Sequence, residues 1–303
     1  MNALPQSKPS PRGCAICGAT VARELYTAPD RLRNSDRIFV IARCDGCGVL
    51  RTLPELTDDE LSFYYPPDYW GGAPTLDWIR KSQAEKTGFL DGCGLRGGRI
   101  LDVGCGAGFF LRALEPNVWD PFGVEISKAA ADAAERVIGL GRIFNGTLLA
   151  SACEDAYFEV VTFWSALEHT NEPRDHLVEA RRILKRGGTL IVQVPNAASY
   201  QARWFGGDWF AFDAPRHRYH FTPETLARLL NQTGFEVYRT SYHSKAHNAH
   251  ALRQSLKARL YAPPATRFSR AAFLACIPFI KPFDLLMTAL GRGATLTVAA
   301  RAV

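Results

Sequence analysis

Apolar runs of strand length alternate with helix-type patterns from Arg99 onward. Strands are predicted in ILDVGCG, PFGVEIS, RIFNG, FEVVTFW and TLIVQVPN, and helices in KAAADAAERV and HLVEARRILKRGG. Strands that are apolar on both faces and that alternate with helices are typical of a parallel sheet covered by helices. The pattern therefore predicts an α/β doubly wound domain over residues 99–303.

The N-terminal third of the chain has a different organisation. Residues 1–12 are rich in Pro and Ser, which predicts a disordered leader. Residues 13–60 contain ELYTAPDRL and RIFVIARC, whose alternation predicts short strands in a small module. Residues 61–98 are predicted to form a linker followed by a helix, Leu76 to Leu90, that leads into the main domain.

Composition narrows the class of protein. The chain has 303 residues, of which 47% are hydrophobic and 22% are charged, so it can bury a full core and is neither disordered nor fibrous. Its first residues lack the apolar run of a secretory signal, and the apolar stretch from Ala271 to Ile280 is about half as long as a membrane-spanning helix. These features predict a cytoplasmic protein.

The net charge of +6 is concentrated near the C-terminal end. Between residues 248 and 303, Lys and Arg are numerous and Asp284 is the only acidic residue. The segment 245–292 is predicted to be a basic helix followed by an apolar pair of helices interrupted by Pro278 and Pro282. We expect it to act as a lid over a substrate pocket, with a peripheral membrane contact as the alternative.

Eight cysteines are present, and four of them form two Cys-x-x-Cys pairs. The pairs are Cys14 with Cys17 and Cys44 with Cys47, and a glycine follows each pair. A tight turn of this kind brings both thiolates to one side, so the two pairs predict a closed, structural four-thiolate Zn²⁺ site in a zinc ribbon. The four other cysteines are expected to be free: Cys93, Cys105, Cys153 and Cys276.

A glycine turn follows the first strand of the predicted sheet. Asp102 precedes Gly104, Gly106 and Gly108, and Glu125 comes at the end of the next strand. Bare backbone at the carboxyl end of a strand lets a ligand approach closely, and a carboxylate in the position of Glu125 can accept both hydroxyls of a ribose. The carboxylate ahead of the turn suits the cationic amino-acid end of a nucleoside ligand.

These residues lie in blocks that resemble the class I S-adenosylmethionine-dependent methyltransferases. The resemblance covers about Arg99 to Phe235 and rests on LDVGCGAGFF, GVEIS, FEVVTFWSALEH, LKRGGTLIVQVPN and HFTPETLARLLNQTGF. It implies a Rossmann-like sheet, parallel except for one antiparallel strand, with a helical insertion before the last strand. The N-terminal zinc ribbon makes the chain similar to the sugar C-methyltransferases, although no counterpart of their large C-terminal domain is expected within these 303 residues.

The resemblance also implies a set of cofactor contacts. Asp102 and the first glycines would line the methionine end of S-adenosylmethionine, and Glu125 would hold the ribose. Trp164 or Ser165, at the end of the fourth strand, would face the substrate. The implied cofactor-binding residues are Asp102, Gly104, Cys105, Gly106, Gly108, Glu125 and Ser165. The acidic residue that many members place near the adenine is replaced by Asn145, so the adenine contacts stay unassigned.

Glu168 and His169 resemble a pair found in relatives that methylate catechols during quinone synthesis. In those relatives the pair joins an earlier carboxylate around Mg²⁺, and here the earlier position is Ser165. The substitution argues against metal-assisted catechol chemistry. The alternative is structural, with Glu168 holding the start of a helix.

Two histidines, His217 and His220, lie just before a helix that begins with Thr222 as N-cap and Pro223. Histidine is a natural general base, and the stretch resembles the part of the sugar C-methyltransferases that contains the base, which makes His217 the candidate. The Tyr and Glu that precede the base in those enzymes are replaced here by Ala214 and Arg216. The alternative is that both histidines pack or cap the helix.

The combined prediction is methyl transfer from S-adenosylmethionine to a small-molecule acceptor. A sugar, glycan or secondary-metabolite intermediate is expected, methylated at O or C, with a lipid-linked acceptor as an open alternative. The alternative is an RNA methyltransferase that holds nucleic acid with basic residues of the ribbon. These residues are Arg31, Arg33, Arg37 and Arg43. A non-catalytic binding module is disfavoured by the intact glycine turn.

Overall fold

The computed structural model describes residues 13–32, 35–65, 75–261 and 267–303. The predicted leader, most of the linker after residue 65, and Arg33 lie outside the described residues. The chain divides into two compact units. One comprises Met1–Pro66, Pro195–Thr225 and Ser241–Leu296, and the other comprises Pro67–Val194, Leu226–Thr240 and Thr297–Val303. Residues 195–225 and 241–296 group with the N-terminal module in this division.

The described residues form eleven strands and nine α-helices. The strands are β1 (Ala22–Pro29), β2 (Ile38–Cys44), β3 (Leu50–Leu53), β4 (Gly98–Val103), β5 (Trp119–Glu125), β6 (Ile143–Asn145), β7 (Phe158–Trp164), β8 (Leu184–Pro195), β9 (Tyr219–His220), β10 (Phe235–Ser241) and β11 (Thr295–Ala302). The helices are α1 (Asp58–Ser62), α2 (Leu76–Gly92), α3 (Phe109–Ala113), α4 (Lys128–Ile138), α5 (Pro173–Ile183), α6 (Tyr200–Phe205), α7 (Pro223–Gln232), α8 (Asn248–Tyr261) and α9 (Arg267–Ala289).

The first unit contains an antiparallel sheet with strand order β1-β2-β3-β9. Residues of β2 alternate in burial, and Phe39 and Ile41 enter a core that also contains Trp209 and Phe212. Inside this unit the guanidinium of Arg216 pairs with Asp30 at 3.0 Å, and both side chains are fully buried. Arg216 also pairs with Asp213 at 2.6 Å. Removing Arg216 would leave the buried charge of Asp30 uncompensated, so we assign this pair to the structure of the unit.

The second unit is built on a mixed, mostly parallel sheet with strand order β10-β11-β8-β7-β4-β5-β6. The pairs β4–β5, β4–β7, β5–β6 and β7–β8 are parallel. Ile100 and Val160 of the central strands are fully buried, as expected for a sheet covered on both faces. The predicted α/β class is confirmed, and the carboxyl ends of β4, β5 and β7 reach the same edge of the sheet.

The segment that was predicted as a lid forms α8 and α9, which pack against each other. Contrary to the prediction, α9 is one helix that continues through Pro278 and Pro282. Its part from Ala271 to Ala289 is long and apolar enough to cross a membrane. The apolar stretch predicted from the sequence, Ala271 to Ile280, is therefore too short. Whether this segment closes over a pocket stays a prediction.

Candidate functional site

The turn after β4 is shaped by glycines in the left-handed region. Gly104 has a φ of 74°, its N–H donates to the carbonyl of Val124 at 2.8 Å, and a Cβ there would lie 2.8 Å from Cβ of Ala166. Gly108 has a φ of 77° and is the N-cap of α3. Side chains at these positions would be strained, so the glycines keep the backbone open at the carboxyl edge of the sheet.

Glu125 ends β5 and holds the glycine turn in place. One carboxylate oxygen accepts the N–H of Gly106 and the other accepts the N–H of Ser127, each at 2.8 Å. The side chain is buried, and burial raises the pKa of Glu125. Each carboxylate oxygen can accept a second hydrogen bond, so Glu125 keeps acceptor capacity for a pair of hydroxyls.

Asp102 lies almost entirely buried at the end of β4. The hydroxyl of Thr162 donates to its carboxylate at 2.7 Å. Burial raises the pKa of Asp102 to about 7, an effect that Lys86 opposes. A carboxyl with a pKa near neutrality is sensitive to any cation that binds beside it.

Lys86 is a site residue that sequence reasoning missed. Its ammonium lies over the rings of Trp164 and Phe110, with distances of 5.5 and 5.8 Å to their centroids, and its charge acts on Asp102. Burial lowers the pKa of Lys86, although the attraction of Asp102 counteracts this. No local pattern indicates this role, because Lys86 is one of several polar residues along α2.

The end of β7 places an aromatic ring and a strained residue beside these charges. Trp164 is buried against Phe89 and Phe110, and its indole N–H has no hydrogen-bond partner among the described residues. Ser165 follows with a φ of 54°, which is unusual for a residue with a side chain. A buried unpaired donor and a strained backbone are features that a ligand site often contains.

Asn145, which stands where an acidic residue was expected from the resemblance, has a structural role in this fold. Its side-chain amide donates to the carbonyls of Glu125 and Ile126 at 2.9 and 3.1 Å. Asn145 therefore ties the end of β5 to the end of β6.

The predicted cofactor residues from β4, β5 and β7 thus lie together within the second unit. Cys105 is buried in the same turn, and burial raises the pKa of its thiol. A thiol of this kind stays protonated and unreactive.

The four cysteines of the two pairs meet in the first unit. Their Sγ atoms lie within 4.8 Å of one another, with Cys14 to Cys47 at 3.8 Å and Cys17 to Cys44 at 3.6 Å. Four thiolates around a tetrahedral zinc, each about 2.3 Å from the metal, would be about 3.8 Å apart. The donor set therefore fits zinc in both chemistry and spacing, with no position left for a substrate.

His217 is held by a backbone carbonyl of its own unit. Its Nδ1 lies 2.9 Å from the carbonyl oxygen of Ala211, which can only accept, so Nδ1 carries the proton and Nε2 is the basic nitrogen. Nε2 lies 3.9 Å from the carboxylate of Asp213. Burial lowers the pKa of His217, so the ring is neutral at neutral pH.

His220 is tied more tightly into the fold. The hydroxyl of Thr52 lies 2.6 Å from the carbonyl of His217 and 2.9 Å from Nε2 of His220. Because the hydroxyl proton goes to the carbonyl, Nε2 of His220 must be the donor to Thr52. The ring also packs edge-on against Phe212, and burial lowers the pKa of His220 well below its usual value.

The Glu168 and His169 pair forms a 3-10 helix with Leu167 directly after Ser165. Glu168 is fully buried.

Two of the arginines proposed for nucleic acid, Arg31 and Arg37, have partners within the fold. Arg31 donates to the carbonyl of Gly207 at 2.9 Å and pairs with Asp208 at 3.3 Å. The guanidinium of Arg37 stacks 5.3 Å from the ring centroid of Phe39. Arg43 is exposed on β2. These arrangements do not favour the RNA interpretation.

Residues 80–240 match a protein family described as a methyltransferase domain. In sequence, the chain is 30% identical over 158 residues to the ubiquinone biosynthesis O-methyltransferase of Roseobacter denitrificans, covering 46% of this chain and 61% of that protein. It is 24% identical over 182 residues to the enzyme of the same name from Azoarcus sp., covering 56% of this chain and 78% of that one. The match to the Roseobacter protein thus spans about three fifths of that relative.

In structure, the chain is similar to a SAM-dependent methyltransferase from Archaeoglobus fulgidus. The TM-score is 0.50 at 18% sequence identity, over 75% of this chain and 94% of that one. This likeness bears on the fold alone.

Proposed function

The chain belongs to the methyltransferase domain family, and we propose that it transfers a methyl group from S-adenosylmethionine to an oxygen of a small-molecule acceptor. The observation that carries the proposal is the glycine turn held by Glu125 beside the buried carboxylate of Asp102. The names of the sequence relatives support O-methylation. When bound, S-adenosylmethionine supplies an electrophilic methyl group on a sulfonium.

Asp102 and Lys86 offer opposite charges to the amino-acid end of the cofactor. The carboxylate of Asp102 would bind its ammonium, and the ammonium of Lys86 would bind its carboxylate. Trp164 and Phe110 screen Lys86 from water, which strengthens this attraction. Glu125 would accept the two ribose hydroxyls, while Gly104 and Gly106 leave room for the ligand against the backbone.

His217 is the proposed general base. A buried, neutral imidazole whose Nδ1 proton is fixed by Ala211 presents Nε2 as the proton acceptor. His220 is proposed to support the same loop through Thr52. In a narrower form of this proposal, the acceptor is a hydroxyl of a sugar or glycan. The other narrower form is C-methylation, as in the sugar C-methyltransferases.

We also propose that Cys14, Cys17, Cys44 and Cys47 hold one structural zinc ion. The Sγ spacing supports this assignment. A four-thiolate site leaves no open coordination position, so the metal would hold the turns of the antiparallel sheet together and take no part in the reaction.

The test is cofactor binding followed by transfer of labelled methyl groups. Calorimetry with S-adenosylmethionine and S-adenosylhomocysteine is expected to show binding that Asp102→Ala weakens at least tenfold. Labelled S-adenosylmethionine is then offered with phenolic, sugar and nucleic-acid acceptors, and the position of the label identifies the methylated atom. Absence of cofactor binding in folded protein would refute the proposal, and label in RNA alone would replace it with the alternative.

A further inference from the structure

Helix α9 is attached to its unit by one narrow face. Phe273, Ile280 and Met287, which follow each other at intervals of seven residues, are buried, and Asp284 is buried beside them. Because seven residues complete nearly two helical turns, these side chains form a single stripe along the helix.

The opposite side of α9 is exposed and apolar. We define its outer face by Leu274, Pro278, Phe279, Pro282, Leu285 and Leu286, all of which are exposed, with 69% of Phe279 accessible to solvent. At 100° per residue these side chains point away from the buried stripe. The side of a helix that faces water is normally polar, and a helix that is apolar all round is normally buried or in contact with lipid.

Aromatic side chains line one border of the outer face. Phe283 packs against Tyr200 and Trp204 with centroid distances of 5.6 and 5.9 Å, and about half of Trp204 is exposed. The guanidinium of Arg259 donates to the backbone carbonyl of Trp204. Tyr and Trp side chains prefer the boundary between lipid and water, because their rings are apolar at one end and polar at the other.

The exposed charges in and next to α8 and α9 along the chain are basic. They are Lys245, Arg253, Lys257, Arg259, Lys281 and Arg292, and the exposed Arg203 is the neighbour of Trp204 in α6. In residues 248–261 and 267–303 the only acidic residue is Asp284, which is buried. This charge pattern complements an anionic surface, and it would oppose the approach of a second copy of the same surface.

We propose that α9 binds the surface of an anionic lipid bilayer, with its outer face among the acyl chains and the basic residues among the headgroups. Interfacial binding fits better than spanning, because the buried stripe is already occupied by the protein and Lys281 lies in mid-helix.

The test is flotation of the full chain with vesicles. Wild-type protein is expected to float with vesicles of equal parts phosphatidylcholine and phosphatidylglycerol, and much less with phosphatidylcholine alone. The double variant Phe279→Glu/Leu286→Glu should reduce the bound fraction at least tenfold, because it places two carboxylates in the apolar layer. The matched control is Leu140→Glu, at a leucine of the other unit that is 89% exposed and should bind like wild type.

A second pair of substitutions tests the charges separately. Arg253→Glu/Lys257→Glu is expected to lower binding to the anionic vesicles by about tenfold or more and to weaken its dependence on salt. Circular dichroism and S-adenosylmethionine titrations should be unchanged in all variants, so that failure of the membrane proposal is distinguishable from failure of the proposed methyl transfer.

Several results would overturn the proposal. These are no flotation of wild-type protein, equal flotation with neutral vesicles, or undiminished binding of Phe279→Glu/Leu286→Glu. Bound protein that resists alkaline carbonate and needs detergent for release would identify a spanning helix instead. If sedimentation shows a wild-type dimer that Phe279→Glu/Leu286→Glu dissociates, without vesicle binding by either protein, a second copy covers the outer face.

Discussion

The carboxylate of Glu125 accepts the backbone N–H of Gly106 at 2.8 Å, so the proposed ribose-binding residue also fixes the shape of the glycine turn. Its other oxygen holds the N–H of Ser127 before α4. Glu125 therefore couples the ends of β4 and β5, and its substitution should affect the whole cofactor site.

Glu125→Ala is expected to weaken S-adenosylmethionine binding by at least tenfold, because both the hydroxyl acceptor and the anchor of the turn are lost. Calorimetry measures the effect. The control is Asp120→Ala at the other end of β5, where a half-exposed pair with Arg142 should contribute little. Equal affinities for Glu125→Ala and wild type would contradict the assignment.

The raised pKa of Asp102 makes cofactor binding dependent on pH. Below about pH 7 the carboxyl is largely protonated, and a neutral carboxyl attracts the ammonium of the ligand only weakly. The dissociation constant should therefore rise as the pH falls from about 7.5 to about 6, while the ligand's ammonium stays charged. Asp102→Asn should bind weakly at both pH values and lose this dependence; a wild-type constant that is flat with pH would refute the ionised role of Asp102.

Lys86 is expected to recognise the carboxylate of the cofactor. Lys86→Ala should weaken S-adenosylmethionine binding by about tenfold or more and leave binding of methylthioadenosine, which lacks the amino-acid end, nearly unchanged. The control is Lys81→Ala on the same helix, because Lys81 is exposed and pairs with Asp77. If Lys86→Ala weakens binding of both ligands equally, the residue has only a general structural role.

Whether the sequence predicts the position of each of these residues depends on whether a local sequence pattern or the packing of distant segments determines it. Asp102 and Glu125 end apolar strands, and parallel strands bring such ends to one edge, so their proximity follows from the sequence pattern. Lys86 comes from a helix that precedes the sheet, and its position over Trp164 depends on how α2 packs, which no local pattern encodes. The bond between Thr52 and His220 likewise joins residues 168 positions apart.

Packing between distant segments also explains why α9 is continuous where the sequence predicts a break. Two prolines four residues apart predict a break, yet the helix continues, because Phe273 before them, Ile280 between them and Met287 after them are all buried. Tertiary packing thus outweighs the local cost of the missing hydrogen bonds.

The cysteine cluster is expected to hold about one equivalent of zinc per chain. Cys44→Ser should lower the zinc content to less than half of the wild-type value and lower the melting temperature, because the ligand set loses a buried thiolate. Elemental analysis and thermal unfolding are the measurements. Cys153→Ser, outside the cluster, should keep both values; full zinc content in Cys44→Ser would exclude the four-thiolate site.

His217 should be required for the reaction and not for cofactor binding. His217→Asn keeps an amide N–H that can donate to the carbonyl of Ala211, as Nδ1 of the imidazole does, but it supplies no basic nitrogen. If His217 removes a proton from the acceptor, this variant should bind S-adenosylmethionine normally, melt near the wild-type temperature and lose roughly 10²–10⁴-fold in kcat. Because burial lowers the pKa of His217, wild-type kcat should stay high down to a pH below the usual histidine value.

The control for His217→Asn is His220→Gln. Its amide can still donate to Thr52, so this variant should retain most of the activity. A purely structural role for His217 makes the opposite prediction, in which His217→Asn is active and His217→Ala loses thermal stability and activity together.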